Sequence, residues 1–278
     1  MFEVVSNDEL VPNIKRISIK APVVAKKIQP GQFVVLRVND EGERVPLTHA
    51  DNDPEAGEVT VVYQEVGKST KLLGTLKPGD SVSDLLGPLG VPIELKKFGT
   101  VVLLGGGVGI PPLYPKGKAL KKHGNRIISI IGARNKDLLV MEDEMKSISD
   151  EFIVTTDDGS RGRKGFTVDA LRDVLKSKKV DLIITVGPLI MMKNASLAAQ
   201  EFGVRIEVSL NPIMLDATGM CGVCRCTVGG ETKFACVHGP IFDGTKVNFD
   251  ELIRRSRTYL DEEKTALDLF NRQYGMKT

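Results

Sequence analysis

The sequence is poor in several residue types that would point to common functions. Its 278 residues include no tryptophan and three histidines, and the formal net charge is only +2. Nucleic-acid binding proteins present a basic surface, often with interleaved aromatic residues, and this sequence has neither feature. No stretch approaches the roughly 18 consecutive apolar residues of a membrane-spanning helix. We therefore expect no nucleic-acid partner and no membrane span.

Cysteine is also scarce, and its distribution is uneven. All four cysteines lie in one segment: Cys221, Cys224, Cys226 and Cys236. A disulfide framework would spread its cysteines to link distant loops, so a metal site in a cytoplasmic protein is the better interpretation. The N-terminal segment MFEVVSNDEL is acidic, unlike a signal peptide. With so few histidines no nucleophile–base pair is evident, and we predict no catalytic side chain.

Two patterns of hydrophobicity divide the chain. Over residues 1–97, short β-branched runs such as EVTVVYQEV alternate with turn sequences, which predicts a small antiparallel barrel. Over residues 98–210, continuous apolar runs such as TVVLLG alternate with helical patterns, which predicts a doubly wound parallel sheet. The predicted fold class is thus a β-barrel followed by an α/β domain. A cysteine segment at 211–247 follows, and we expect it to need its metal to fold.

Two helix predictions are specific. The segment DLLVMEDEMKSI indicates a helix with Asp137 at its cap. Residues 248–278 indicate an amphipathic C-terminal helix. We expect this helix to pack on its own domain, and docking against another subunit is the alternative.

The glycine-rich motif GGGVGIPP at 105–112 follows a predicted buried strand and precedes a predicted helix. Glycines there let the backbone approach a pyrophosphate, and the helix N-terminus favours the anion. Ile110 stands where the fingerprint G-x-G-x-x-G has its third glycine. A tight turn without a ligand is the alternative. The loops at 105–112, 132–137, 156–160 and 187–192, the last with Gly187 and Pro188, all follow predicted strands and should share one crevice.

Two shorter motifs lie in the predicted barrel. In RVPLT, Arg44 is suited to bidentate pairing with a diphosphate, and Thr48 offers a hydroxyl group. GKST at 67–70 has the composition of a helix start that takes a phosphate. Each motif alone is a weak signal, since an exposed arginine beside a proline turn is the commoner explanation of RVPLT, and ordinary helix capping is favoured for an isolated GKST.

The cysteine segment permits two ligand sets. Four thiolates, or three with His238, would suit zinc. If Asp216 replaces one thiolate, the pattern becomes D-x4-C-x2-C-x11-C. That pattern is the plant-type [2Fe–2S] spacing with an acid in the first position, and it leaves Cys226 as a buried bystander. The spacing favours the second set.

The order of these motifs resembles the ferredoxin-NADP reductase-like family, which includes dihydroorotate dehydrogenase electron-transfer subunits. PGQFV, R-x-P-L-T, GPLG, GGGVGI and TDDGS precede the cysteine segment in that order. The stretch SLNPIMLDATGMCGVCRCTVGGETKFACVHGPIFDG is most similar to the small subunits of NADH-dependent ferredoxin:NADP+ oxidoreductases, also called sulfide dehydrogenases. The resemblance covers essentially the whole chain.

This resemblance implies three sets of cofactor-binding residues. For FAD it implies Arg44, Pro46, Leu47 and Thr48 with Gly67, Lys68, Ser69 and Thr70. For the nicotinamide nucleotide it implies Gly105, Gly106, Gly107, Val108, Gly109 and Pro112, with Asp157, Asp158 and Gly159 lining the same crevice. For the [2Fe–2S] cluster it implies Asp216, Cys221, Cys224 and Cys236.

The resemblance also implies a function. Electrons would pass from NADH through FAD and the [2Fe–2S] cluster to a larger flavin and iron–sulfur subunit of a heterodimer. That larger subunit would carry out electron bifurcation, with NADPH and ferredoxin as the other substrates of the complex. One alternative is the electron-transfer subunit of a dihydroorotate dehydrogenase, which usually has cysteine where this chain has Asp216. A zinc-stabilised nucleotide-binding module without redox activity is a second alternative.

Two details stay open at this point. The residues do not decide between NAD and NADP, because Arg134 and Lys136 suit either a 2′-phosphate contact or plain solvation. His49 follows the R-x-P-L-T motif where an aliphatic residue is expected. We expect a surface position for this histidine, and contact with the flavin edge with titration near neutrality is the alternative.

Overall fold

The structure is a computed structural model that describes residues 1–275. Its N-terminal part is a nearly closed antiparallel barrel sheet with the strand order β6-β1-β2-β5-β4-β3-β7. The strands are β1 Phe2–Val11, β2 Ile14–Lys20, β3 Phe33–Arg37, β4 Val45–Asp53, β5 Glu58–Gln64, β6 Ser81–Val82 and β7 Asp84–Leu89. Two short helices, α1 Pro22–Lys27 and α2 Lys68–Gly74, connect them. The predicted barrel is confirmed.

The second part is an α/β sheet with the strand order β11-β10-β9-β8-β12-β13-β16. Its strands are β8 Thr100–Gly106, β9 Arg126–Ala133, β10 Glu151–Thr156, β11 Arg163–Lys164, β12 Leu182–Val186, β13 Arg205–Ser209 and β16 Ile241–Asp243. Its helices are α3 Leu113–Lys122, α4 Glu142–Ile148, α5 Thr167–Ser177 and α6 Leu189–Glu201. All pairings are parallel except that of β13 with β16. The predicted parallel sheet is confirmed.

The cysteine segment is built into this sheet. It forms a hairpin of β14 Arg225–Val228 and β15 Glu231–Phe234, followed by the single turn α7 Ala235–His238. Its last strand, β16, pairs with β13 through the partners Ser209 and Ile241. The sheet of the α/β domain therefore extends beyond the predicted boundary at residue 210, into the cysteine segment.

The prediction that Asp137 caps a helix is wrong. The side chain of Asn135 accepts a hydrogen bond from the Asp137 amide at 3.1 Å, and this closes only a short 3₁₀ turn. Leu139 then returns to extended backbone, and α4 begins at Glu142. The first turn of α4 contains Glu142, Asp143 and Glu144. Because acidic residues favour the N-terminal end of a helix dipole, this run was the better start signal.

The C-terminal region forms two helices instead of one. Helix α8 spans Phe249–Arg255 and helix α9 spans Leu260–Tyr274. Helix α8 packs against α6 and β14, whereas α9 packs against α2 of the barrel. The C-terminal helix therefore reaches another domain of its own chain. Within residues 1–275, no helix has both the length and the apolar character needed to cross a bilayer.

An apolar cluster joins the barrel to the sheet. Ile14, Ala50 and Val62 of the barrel share this buried cluster with Ile110 and Leu113 at the start of α3. The side chains of β4 therefore face the loop that follows β8. Because this cluster is buried and closely packed, the start of β4 and the loop that follows β8 are held at a fixed separation.

Candidate functional site

The four predicted crevice loops do lie at one edge of the sheet. In β8, Gly105 pairs with Val186 of β12, and Gly106 pairs with Gly132 of β9. In β10, Thr156 pairs with Ala133 of β9. The chain runs outward from β8 through β9 and β10, then returns to place β12 on the other side of β8. This topological switch point is where open parallel sheets form a ligand crevice.

Packing within the chain accounts for part of the glycine-rich motif. A Cβ atom at Gly109 would lie 2.3 Å from the Val186 carbonyl oxygen, and one at Gly105 would lie 2.8 Å from Leu113 Cδ1. At Gly106 it would lie 2.8 Å from Met191 Sδ. Gly107 differs, because its φ is +54° and no atom lies within 4 Å of its Cβ position. Packing thus accounts for Gly105, Gly106 and Gly109, and the positive φ of the tight turn favours glycine at 107, where open space lies beside the Cβ position.

The other predicted residues of this loop and of the 187–188 loop form its walls. Val108 is half-buried and Pro112 is buried at the start of α3. A Cβ atom at Gly187 would lie 3.3 Å from the backbone nitrogen of Gly106. Pro188 directly precedes α6 and lies close to the Cβ position of Gly106. The two loops therefore contact each other across the β8–β12 pair.

The loop at 157–160 is fixed by its own hydrogen bonds. Asp158 Oδ1 accepts from the Ser160 hydroxyl at 2.7 Å and from the Ser160 amide at 2.9 Å. These bonds lower the pKa of the Asp158 carboxyl group. Ser160 Oγ in turn accepts from the Lys136 amide at 2.8 Å. Asp157 and Gly159 lie in the same turn, and Gly159 has a φ of +81°. This carboxylate thus holds two crevice loops together, while Arg134 and Lys136 have exposed side chains.

The two barrel motifs meet each other. RVPLT forms the start of β4, where Leu47 pairs with Val34 and Thr48 pairs with Phe33. GKST forms the start of α2, and Ser69 Oγ donates to Glu43 Oε2 at 2.8 Å. This hydrogen bond brings the residue before Arg44 to the helix start. Pro46 lies within β4, and Arg44 is exposed without an ion pair in the described part of the chain.

The start of α2 is closed by a threonine. Thr70 Oγ1 accepts from the amides of Val66 and Gly67, both at 3.1 Å, and donates to the Gly67 carbonyl oxygen. Lys68 is half-buried beside it. Thr70 therefore acts as part of the helix cap, as the capping alternative predicts.

The expectation of a surface position for His49 is wrong. His49 is fully buried, and its Nδ1 atom lies 3.0 Å from the Gln32 carbonyl oxygen. Because a carbonyl group only accepts, Nδ1 carries the proton and Nε2 is left as an acceptor. Nε2 has no hydrogen-bond partner among the described residues. Burial lowers the pKa of this imidazole, and the nearby charge of Lys116 lowers it further.

Lys116 is a second unpaired polar group at the same interface. It is fully buried on α3, which packs against β4, and its Nζ atom has no partner in the described chain. Burial lowers the pKa of its ammonium group to about 8, and the Glu207 carboxylate only partly offsets this. The barrel–sheet interface therefore contains a costly buried cation.

Lys116→Met is expected to stabilise the protein at pH 7 by up to about 3 kcal/mol, since each pKa unit corresponds to about 1.4 kcal/mol. Between pH 8 and the unfolded-state value near 10.5, the unfolded chain binds the proton and the folded chain does not. The stability of the wild type should rise through that window relative to the variant. Urea midpoints at pH 7 and pH 10 measure this. An equal difference at both values would show that Lys116 carries no shifted pKa.

The cysteine segment forms a tight loop around two sulfur atoms. Cys224 Sγ and Cys236 Sγ lie 3.2 Å apart, and both residues are buried. Asp216 Oδ1 accepts from the Thr218 amide at 2.8 Å, and Oδ2 accepts from the Cys221 amide at 2.9 Å. These bonds lower the pKa of the Asp216 carboxyl group. The predicted ligands Cys224 and Cys236 thus adjoin each other. The other two, Asp216 and Cys221, are linked by a hydrogen bond from the Cys221 amide to the Asp216 carboxylate.

The four predicted ligands are not gathered around one point. Within residues 1–275, no three histidine, cysteine or acidic side chains have the arrangement of a metal centre. The donor set still fits an iron–sulfur cluster, because the two buried sulfur atoms are unbonded and the Gly219 amide faces Cys236. Amides directed at sulfur are among the groups that tune such clusters.

Two residues of the zinc alternative are engaged elsewhere. Cys226 is fully buried, and its nearest polar contact is the Lys233 carbonyl oxygen at 3.7 Å. His238 Nδ1 accepts from the Phe234 amide at 2.9 Å. In the neutral ring Nε2 then carries the proton and has no lone pair for a metal. Both observations agree with the ligand set of Asp216 and three cysteines, which omits Cys226 and His238.

Comparisons with known proteins now identify the family. Residues 211–248 match the model of the iron-sulfur cluster binding domain of dihydroorotate dehydrogenase B. A dihydroorotate dehydrogenase B (NAD(+)), electron transfer subunit homolog from Thermotoga maritima is 50% identical over 273 residues, with 98% of this chain and 96% of the relative covered. The electron transfer subunit from Bacillus velezensis is 33% identical over 252 residues, with 87% and 96% covered. This chain belongs to the family of dihydroorotate dehydrogenase B electron transfer subunits and their homologs.

Solved structures agree with this assignment to the electron transfer subunit family. The structure of an NADH-dependent reduced ferredoxin-NADP oxidoreductase superposes with a TM-score of 0.92 at 50% identity, covering 97% of this chain and 98% of that one. Phthalate dioxygenase reductase, at 15% identity and a TM-score of 0.60, shares the fold. The predicted ferredoxin-NADP reductase-like family is confirmed, and the protein is an electron-transfer oxidoreductase.

Sequence reasoning missed Lys116 as a notable residue of this electron transfer subunit. The signal was present, because Leu113, Lys116, Gly117 and Leu120 have the spacing of one helix face. A lysine on an otherwise apolar face predicts either a buried charge or a snorkelling side chain. The structure shows the first.

Proposed function

We propose that this chain is the small subunit of an NADH-dependent ferredoxin:NADP+ oxidoreductase, with FAD, a [2Fe–2S] cluster and NAD(H) as its cofactors and substrate. Support comes above all from the 50% identity along nearly the whole chain to an oxidoreductase of that description. When bound, a flavin exchanges hydride with nicotinamide and single electrons with an iron–sulfur cluster. The chain itself supplies binding and orientation.

In this proposal the barrel binds FAD. Arg44 and the start of α2 would hold the diphosphate, and Thr48 would contact the ring system. The hydrogen bond between Glu43 and Ser69 supports this assignment, because it brings the two motifs to one place. Arg44 is exposed and free to form a bidentate pair with an anion.

The crevice at the β8–β12 switch point would bind the nicotinamide nucleotide. Gly107 has the open surroundings that a ligand needs, and Asp158 fixes the loops at 132–137 and 156–160. The buried barrel–sheet interface would keep the nicotinamide and flavin sites facing each other and exclude water between them.

Asp216, Cys221, Cys224 and Cys236 would bind the cluster. The sulfur atoms of Cys224 and Cys236 adjoin each other, and Cys221 is exposed. An exposed ligand suits the transfer of electrons to a partner. We propose a larger flavin and iron–sulfur subunit as that partner, in a cytoplasmic heterodimer that reaches ferredoxin through the larger subunit.

Purified protein is expected to contain FAD, iron and acid-labile sulfide, and NADH is expected to bleach the flavin faster than NADPH. Extraction with chromatography and stopped-flow absorbance measure these. The variant Arg134→Ala/Lys136→Ala tests the preference for NAD or NADP. It should slow reduction of the flavin by NADPH only if these side chains contact a 2′-phosphate. A colourless protein with zinc would instead support the nucleotide-binding module.

The runner-up function is electron transfer within a dihydroorotate dehydrogenase. The 33% identity to such a subunit supports it. Affinity purification from the native host separates the two functions, because the co-purifying larger subunit would be either an iron–sulfur flavoprotein or a dihydroorotate dehydrogenase.

A further inference from the structure

The C-terminal helices contact both the barrel, where FAD is proposed to bind, and the cysteine segment. Helix α8 is anchored in the cysteine segment. Its residues Phe249 and Leu252 are buried in the apolar cluster that also contains Cys224 and Cys236. Arg255 Nη2 donates to the Val223 carbonyl oxygen at 3.0 Å, within the loop between two proposed ligands. Helix α8 therefore restrains the position of that loop.

Helix α9 is anchored on the barrel. Phe270 and Asn271 are each 4% exposed, whereas the neighbouring Leu269 is 60% exposed. Lys71 Nζ, on α2, donates to Asn271 Oδ1 at 3.4 Å. The buried face of α9 is thus turned to α2, the helix that begins with the GKST motif.

A hydrogen-bonded turn joins the two helices. The Ser256 amide donates to the Leu252 carbonyl oxygen at 2.8 Å, and Thr258 Oγ1 donates to the Arg255 carbonyl oxygen at 2.7 Å. The Glu263 amide then donates to the Tyr259 carbonyl oxygen at 2.8 Å. Because each step of the turn is closed by such bonds, it differs from a flexible glycine and serine linker.

The barrel also contacts the cysteine segment directly, because Phe33 and Val35 of β3 lie in the buried cluster that contains Cys224 and Cys236. The Val91 amide, just after β7, donates to the Gly239 carbonyl oxygen at 2.6 Å. These contacts are made by β3 and by the end of β7. Helix α9 adds a contact at a different place on the barrel, at α2, so residues 249–274 link the cysteine segment directly to that helix.

We propose that residues 249–274 are a positioning segment, which fixes the cysteine loop at 216–224 relative to helix α2 of the barrel. What the two parts bind rests on the proposed function above. The rate of electron transfer depends on the distance between cofactors, so such a segment would keep the flavin and cluster sites at constant separation. Phe270 and Arg255 are its positioning residues.

Hydrogen exchange of the full-length protein tests this proposal. Phe270→Ala is expected to speed amide exchange about tenfold both in α2 and in residues 218–224, which corresponds to a modest loss of local stability. Leu269→Ala is the matched control, since it removes an exposed side chain from the same turn, and it should change neither region. Arg255→Met removes the hydrogen bond to the Val223 carbonyl oxygen. This variant should speed exchange at 218–224 without unfolding α9.

The outcomes separate the possible roles. If Phe270→Ala speeds exchange in α2 alone, α9 is merely a cover for that helix and the proposal is overturned. Should this variant not fold, Asn271→Leu decides, because it removes the Lys71 bond while keeping the volume. FAD and iron contents are measured on the same samples, because bound cofactors would themselves slow exchange in α2 and at 218–224. The variants are compared at equal cofactor content, and that content by itself tests the proposed function.

Discussion

Cys224→Ser is expected to abolish the iron content and visible absorption of the protein, whereas Cys226→Ser is expected to preserve both. Cys224 Sγ lies 3.2 Å from Cys236 Sγ, while the sulfur of Cys226 faces the Lys233 carbonyl oxygen. A hydroxyl group is a much harder ligand than a thiolate and is a poor substitute in an iron–sulfur centre. Iron analysis and absorption spectra of the anaerobically purified variants measure the difference.

The reverse result would mean that Cys226 is a ligand and Cys224 is not. Cys226→Ala serves as a control for Cys226→Ser, because a serine hydroxyl at this buried position introduces a polar group. Loss of the cluster in the serine variant but not in the alanine variant would indicate misfolding of the segment and leave the ligand assignment intact.

Gly109→Ala is expected to lower the free energy of unfolding by about 3 kcal/mol or more, at the upper end of the cost of overpacking. The new Cβ atom would lie 2.3 Å from the Val186 carbonyl oxygen. Backbone atoms must move to relieve this contact, and they belong to β12, which pairs with β8 at the switch point. Denaturant unfolding of the purified variant gives the change in free energy.

Gly203→Ala provides the matched comparison for Gly109→Ala. Gly203 has a φ of +65° but no atom within 4 Å of its Cβ position. Only the backbone strain of a left-handed residue remains, at about 1 kcal/mol. Equal losses in the two variants would show that the loop after β8 moves aside and that Gly109 is not required by packing.

The two domains of this chain could be predicted because each has a regular hydrophobic period. Alternation in β5 and continuous apolar runs in β8 reflect burial on one face or on both. The start of α4 was harder, since Leu138 to Met141 is apolar both in the predicted helix and in the observed stretch that leads from a 3₁₀ turn to α4. The backbone at Met141, with a φ of +53°, decides the boundary, and periodicity carries no information about it.

The candidate site could be predicted only at the level of motifs. The spacing of Asp216 and three cysteines is local, so the sequence shows it directly. The burial of His49 and Lys116 arises where β4 meets α3, and these lie far apart in sequence. Long-range packing of this kind overrides local pattern, and the same holds for α9, whose partner α2 is about 200 residues away, as the separation of Lys71 and Asn271 shows.

The strand β16 has a consequence for solubility. Without it, β13 would present a row of unpaired backbone groups, and its residues Ile206, Glu207, Val208 and Ser209 are buried in the intact chain. Such an edge is a template for pairing with a second copy of the chain. At the opposite edge, β11 has only two residues, Arg163 and Lys164, and short charged strands resist such pairing. The cysteine segment therefore also protects the sheet against aggregation. A chain that fails to fold this segment should precipitate in addition to losing its capacity for electron transfer.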